Sequence, residues 1–186
     1  EYKLMGLAPY GTPKYKNIIM DEILDLKEDG SFALDMDFFN YCQGLTMTSK
    51  RFDKLFGGPP RKAESDLTSR EMDLAASVQS VTEDIVLKMA RHARDLTGSS
   101  NLCLAGGVAL NCVSNGILAR EKIFDSIWIQ PAAGDAGGAL GAAFFVHHQL
   151  LDCERTYETS DSMSGSLLGP KYENDKIIEF LQTNNI

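Results

Sequence analysis

Two strand-to-helix turns follow one another between residues 101 and 150, and this arrangement restricts the chain to few folds. Leu102, Cys103, Leu104 and Ala105 form a short apolar run that stops at Gly106-Gly107, where a helix-periodic segment begins. Ile127, Trp128 and Ile129 form a second run that stops at Gln130-Pro131, with a helix expected to begin near Asp135. Short apolar runs bounded by Gly or Pro read as strands buried on both faces. Strand, helix and strand at this length make a βαβ unit, so the two strands are expected to be parallel neighbours. Both turns then lie at the carboxyl edge of one sheet, where open α/β sheets bind ligands.

The two turns carry different chemistry. Paired glycines allow close approach to the backbone and dihedrals that other residues avoid. The helix after Gly106-Gly107, with Leu110, Val113 and Ile117 expected on one face, would aim free N–H groups and a partial positive charge at the turn. A nucleotide suits such a place, although a glycine pair is also ordinary turn punctuation. In the second turn Asp135 lies between Gly134 and Ala136-Gly137-Gly138, with Gly141 beyond. Glycine in a helix costs roughly 1 kcal/mol against alanine. Several at one helix start therefore imply close packing or close approach of a ligand. Asp135 has two readings that do not exclude each other: a helix N-cap, or a carboxylate presented to a cation in the crevice.

The rest of the chain supplies a scaffold. Residues 1–11 read as a loop, residues 15–23 as a short helix, and residues 24–36 as a β-hairpin turning at Glu28-Asp29-Gly30-Ser31. Asp-Gly is a strong hairpin signal. This hairpin is expected to pair onto the same sheet as the two parallel strands. A short helix is expected over 49–56, and a loop over the Gly- and Pro-rich residues 57–66, whose Arg61 and Lys62 read as solvated charges or anion contacts. Thr68-Ser-Arg-Glu71 is a capping box. It opens a helix of about eight turns at 3.6 residues per turn, with Leu74, Val78, Val81, Ile85, Met89, His92 and Leu96 as its expected buried stripe, and Gly98 ends it. His92 on that stripe reads as a core histidine rather than a ligand. His147-His148 fall near the end of the last long helix, away from the turns. Residues 155–166 are rich in Ser and Thr and read as a linker, followed by a short amphipathic helix over 174–181.

Composition excludes several functions. A net charge of −8 argues against sequence-independent nucleic-acid binding, which needs a basic face. No apolar run reaches membrane-spanning length. The four cysteines, Cys42, Cys103, Cys112 and Cys153, lack metal spacing. Reduced thiols and a cytoplasmic location are the expectation.

Three motifs in order, Lys3-Leu-Met-Gly-Leu-Ala-Pro-Tyr-Gly11, Leu104-Ala-Gly-Gly-Val-Ala-Leu-Asn111 and Gln130-Pro-Ala-Ala-Gly-Asp-Ala-Gly-Gly-Ala-Leu-Gly141, resemble the O-carbamoyltransferases of the nodulation and antibiotic-tailoring type. The likeness spans roughly residues 1–150 and reaches Gly169-Pro-Lys-Tyr172. It implies an α/β fold: a ribonuclease-H-like lobe of the actin-like ATPase superfamily, with a mixed sheet and helices on both faces. It also implies ATP-dependent chemistry, in which carbamoyl-adenylate made from carbamoyl phosphate and ATP passes its carbamoyl group to the hydroxyl of a small-molecule acceptor. On this resemblance Gly106, Gly107, Asn111, Gly134 and Lys3 are expected at the nucleotide, and Asp135 at a divalent metal, with iron the expected ion. Such a metal would act as a Lewis acid.

The family's paired metal-ligating histidines, spaced four apart, have no counterpart here, since the histidines are His92, His147 and His148. The expectation is therefore that residues 1–154 are the second lobe of a longer enzyme. Residues 155–186 would then lead toward an adenylate-forming domain outside this chain. A chain of that kind would hold half a site and be inactive alone. A small-molecule kinase lobe of the same superfamily and a non-catalytic nucleotide-binding module are the alternatives.

Overall fold

In the computed structural model, which describes residues 2–157 and 160–186, the helices are α1 (Tyr2–Leu7), α2 (Lys16–Ile18), α3 (Lys50–Leu55), α4 (Ser69–Thr97), α5 (Cys112–Arg120), α6 (Gly137–Phe145) and α7 (Asn174–Thr183). The strands are β1 (Leu24–Leu26), β2 (Phe32–Leu34), β3 (Asn101–Leu104) and β4 (Ser126–Ile129). Residues Glu1–Gly138 form one compact unit and Ala139–Ile186 a second.

The long helix α4 is the spine of the first unit. Its start is the expected capping box. The Thr68 hydroxyl accepts from the Arg70 N–H at 3.3 Å, and the Glu71 carboxylate accepts from the Thr68 N–H at 2.9 Å. Gly98 ends it in the left-handed conformation, φ 64°. The helix serves two apolar clusters rather than one stripe. Val81, with Leu74 and Ile85 beside it, joins Ile19, Ile23, Leu24, Phe38 and Phe56. Ala90, with Val86, Leu87 and Ala93, joins Leu118 and Phe124. Val78, Met89, His92 and Leu96 lie exposed, so the sequence-based stripe is corrected at those four positions. A helix clamped between two layers buries two narrow faces, and small residues such as Ala75, Ala76 and Ala90 allow the close approach.

The hairpin forms as expected: β1 and β2 are antiparallel, with Leu24 opposite Leu34. Asp29 accepts from the Ser31 hydroxyl at 2.7 Å and from its N–H at 2.9 Å, and these bonds hold its carboxyl below the usual range. The hairpin does not join β3 and β4. Among the described residues there are two separate two-stranded sheets, not one mixed sheet. The hairpin packs on one face of α4, from Val81 and Ile85 to its turn at Gly30 beside Met89, and the βαβ unit packs on another face, at Val86, Leu87, Ala90 and Ala93, so the helix keeps the two sheets apart.

β3 and β4 are parallel as expected, Leu102 facing Ile127 and Leu104 facing Ile129. They are not buried on both faces. Leu102, Leu104 and Ile127 turn toward α4 and α5, while Cys103 and Trp128, the latter 48% exposed, face away. Burial therefore alternates with the pleat.

The amino-terminal segment is helical, not a loop: α1 is followed by a 3₁₀ turn at Ala8–Tyr10. Helix α3 is capped by Ser49, as its predicted span implies. In the second unit α6 passes into a wider turn, Val146–Leu150, which carries His147 and His148. The His148 ring nitrogen Nδ1 lies 2.9 Å from the Cys153 carbonyl oxygen. The predicted linker over 155–166 includes Glu158 and Thr159, which lie outside the described residues. The amphipathic helix over 174–181 is α7. No described helix is long and apolar enough to cross a membrane.

Candidate functional site

The site grows from the parallel register. Because β3 and β4 end together, their two following turns leave the same sheet edge, and the ladder runs on past the strands. The Gln130 N–H donates to the Leu104 carbonyl at 3.0 Å, and the Gly106 N–H donates to the Ala133 carbonyl at 2.8 Å. The second bond joins the two glycine-rich motifs directly and brings Gly106 beside Gly134. Gly106 is held at φ 98°, ψ 160°, a region that essentially only glycine occupies. Gly137 has a different reason to be glycine: a Cβ there would lie 2.1 Å from the Ala132 carbonyl oxygen. Around Gly134, Gly138 and Gly141 a Cβ would meet nothing within 4 Å, so packing does not account for those three.

The helix expected directly after Gly106-Gly107 starts later. A 3₁₀ turn, Gly107–Leu110, comes first, and α5 begins at Cys112 with Asn111 as its N-cap. The Asn111 Oδ1 accepts from the Ser114 N–H at 3.1 Å. The α5 amino terminus is thus closed by a side chain rather than open to the turn. The buried face of α5 is Ser114 and Leu118, while Leu110 and Val113 are exposed, which corrects the expected face.

Asn111 is engaged on its other side as well. Its Nδ2 donates to the Gln79 Oε1 at 2.9 Å, and the Gln79 Nε2 approaches the Asn111 Oδ1 at 3.2 Å. The Gln79 Nε2 also donates to the Glu83 Oε1 at 2.9 Å. Gln79, 6% exposed, and Ser114 are among the few buried polar residues. The sequence reading missed Gln79, Glu83 and Ser114. The available signal was Ala75, Ala76, Gln79 and Glu83 at helical spacing, a second and partly polar face beside the aliphatic one.

Gly107 and Asn111 line a groove of about 190 Å³ together with Tyr2, Leu4 and Met5 of α1 and Val78, Gln79 and Thr82 of α4. Ligand pockets run from about 300 Å³ upward, so this groove suits a part of a ligand. Its walls are mostly apolar and its amides lie at one place, an arrangement that fits a flat polar-edged ring better than a cluster of phosphates. Lys3 is exposed on α1 and does not line the groove. Gly106, Gly134 and Asp135 do not line it either. They stand at the joined turns.

Asp135 is exposed, and α6 starts two residues later, at Gly137. Its carbonyl, not its carboxylate, accepts from the Gly138 N–H at 3.0 Å. The N-cap reading of its side chain is therefore not what the structure shows. Among the described residues no three His, Cys, Asp or Glu side chains converge as a metal site would require. Asp135 offers one carboxylate, and a metal ion held there would need its other ligands from outside the described residues.

Residues 1–144 match the carbamoyltransferase N-terminus family. The chain is 60% identical over 182 residues to an uncharacterised protein of Synechocystis sp., covering 98% of this chain and 30% of that one. It is 40% identical over 150 residues to nodulation protein NolNO of Sinorhizobium fredii, covering 81% of this chain and 20% of that protein. It is 39% identical over 150 residues to nodulation protein NolO of Bradyrhizobium diazoefficiens, covering 81% and 25%. The joined turns and the motifs on them lie within the matched residues. The chain is a member of the carbamoyltransferase N-terminus family, and it spans less than a third of the length of these relatives.

Proposed function

We propose that this chain is one lobe, of the actin-like type, of an ATP-dependent O-carbamoyltransferase, and that its joined turns hold carbamoyl-adenylate during transfer to a hydroxyl of a small-molecule acceptor. The observation that carries the reading is the Gly106 N–H to Ala133 carbonyl bond, 2.8 Å. It brings the two family motifs together at the carboxyl end of a parallel pair, the usual ligand edge of an α/β sheet. The lobe assignment rests on the motifs and the βαβ unit, because the sheet is smaller than the mixed sheet expected.

In this reading the groove takes the base end of the adenylate, and the joined turns lie beside its phosphate and carbamoyl end. The Gly107 and Val108 N–H groups head the 3₁₀ turn and have no acceptor among the described residues. They are free donors at this turn toward an anion or carbonyl oxygen. The acceptor hydroxyl oxygen bonds to the carbamoyl carbon, the bond from that carbon to the phosphate oxygen breaks, AMP leaves with the electron pair, and the hydroxyl proton passes to water. Holding the two reactants in one geometry is what a preorganised pair of turns contributes.

The test uses the full-length protein and separates two half-reactions. Asn111→Ala and Asp135→Asn are expected to cut carbamoyl transfer while pyrophosphate release from ATP and carbamoyl phosphate continues. Asp135→Asn keeps size, and the aspartate makes no cap here, so a loss of transfer would reflect its charge at the crevice. Full transfer rates in both variants would remove the site assignment.

A further inference from the structure

We infer that Gln79 and Glu83 are positioning residues that fix the Asn111 side-chain amide as a hydrogen-bond donor toward the ligand; this rests on the nucleotide reading of the site given above. The argument runs through which atoms can only donate or only accept. The Ser114 backbone N–H can only donate, and it meets the Asn111 Oδ1 at 3.1 Å. An ionised carboxylate can only accept, and the Glu83 Oε1 meets the Gln79 Nε2 at 2.9 Å. These two ends set the orientation of both amides. They agree in the middle, where the Asn111 Nδ2 donates to the Gln79 Oε1 at 2.9 Å and the Gln79 Nε2 faces the Asn111 Oδ1 at 3.2 Å.

The relay leaves little freedom. The Gln79 Nε2 has two hydrogens and three acceptors within reach, the Glu83 carboxylate, the Asn111 Oδ1 and, at 3.5 Å, the Ser114 hydroxyl. The Asn111 Nδ2 has two hydrogens and one partner among the described residues. One hydrogen therefore remains for a ligand acceptor, and both amides line the groove. A flipped Asn111 would set Nδ2 against the Ser114 N–H and Nδ2 against Nε2, and both contacts are repulsive. The groove therefore selects a ligand that presents an acceptor at Asn111, as the ring nitrogens of a purine do.

The relay also ties α4 to the start of α5. Gln79 lies on α4, and Asn111 joins the Gly107–Leu110 turn to α5. Loss of Gln79 would leave the Asn111 amide held by the Ser114 N–H alone, without removing Asn111 itself, so its effect travels through Asn111.

The experiment is an AMP titration followed by nuclear magnetic resonance of backbone amides and of the Asn and Gln side-chain NH₂ pairs. In the parent chain, AMP is expected to shift the Gly107 amide and one of the two Asn111 NH₂ protons. Gln79→Met, close to isosteric, is expected to weaken AMP binding about tenfold and to speed exchange of the Asn111 NH₂ protons, while resonances of the β1–β2 hairpin stay in place. Glu83→Gln, on a half-buried side chain, should weaken it about threefold and keeps the test available if Gln79→Met does not fold. Gln79→Met and Asn111→Ala should not add in a double-mutant cycle. If AMP shifts neither Gly107 nor Asn111 in the parent, the nucleotide reading itself falls. If AMP binds there and Asn111→Ala weakens it, but neither Gln79→Met nor Glu83→Gln does, the positioning role alone falls.

Discussion

Gly106→Ala separates backbone demand from ligand demand at the first turn. Gly106 sits at φ 98°, ψ 160°, and a Cβ there would meet no atom within 4 Å, so the cost is conformational and not steric. A non-glycine residue in this region is strained by about 1–3 kcal/mol. Alanine recovers about 0.4–1 kcal/mol by restricting the unfolded chain. The net loss is then about 1–2 kcal/mol. The turn can escape the strain only by rotating its peptide and giving up the 2.8 Å bond to Ala133, worth about 1 kcal/mol, so relaxation gains little. For a chain of this size 1 kcal/mol corresponds to about 2–4 °C, and the expected fall in Tm is about 3–6 °C. Gly134→Ala is the control, since a Cβ there also meets nothing within 4 Å and its φ is not positive. Thermal and urea unfolding of the two variants beside the parent decide the matter. Equal stability of Gly106→Ala and Gly134→Ala would refute the reasoning.

Glu71 predicts an acid-sensitive helix start. Hydrogen bonds from Thr68, and then the Arg70 guanidinium, lower its carboxyl from 4.5 to about 2. Its folded value lies below its unfolded one, so its contribution is fully present above about pH 4.5 and is lost as pH falls through about 2, a loss of about 1 kcal/mol after screening. Urea midpoints measured down that range should fall more steeply in the parent than in Glu71→Ala, and parallel slopes would count against the capping box. Leu118, fully buried against Ala90 and Phe124, should cost about 3 kcal/mol as Leu118→Ala by urea unfolding. The Arg91–Glu121 bridge, 2.7 Å but half-exposed on both sides, should cost less than about 1 kcal/mol as Arg91→Ala, and less again in high salt.

Local signals in the chain were legible. The Asp-Gly hairpin, the Thr68 box, the Gly98 terminus and the parallel pairing of the two apolar runs all follow from short-range chemistry. The misplaced features depend on which surfaces meet. An apolar period marks residues able to be buried, but α4 divides its burial between two clusters, which leaves Met89, His92 and Leu96 exposed. The hairpin seemed bound for the parallel sheet because strands seek partners, yet α4 comes between them. At the site the glycines named the turns, while the Gln79–Asn111 contact joins residues 32 apart in sequence. Nothing in either neighbourhood announces that pair. Asp135 shows the reverse case: its cap signal is strong in sequence, but helix α6 begins too late to use its carboxylate.

The bond from Gly106 to Ala133 has a dynamic consequence. An amide in an exposed glycine turn would ordinarily trade its hydrogen with solvent as fast as a free peptide. Here that hydrogen sits in a ladder begun by β3 and β4, one step past Gln130 to Leu104. It is released only when the end of that ladder opens, so Gly106 should exchange slowly and on the timescale of the strand amides. The two turns then fluctuate as one body, and a motion that displaces one carries the other with it. A molecule held between them would meet a single jaw whose shape is set before it arrives.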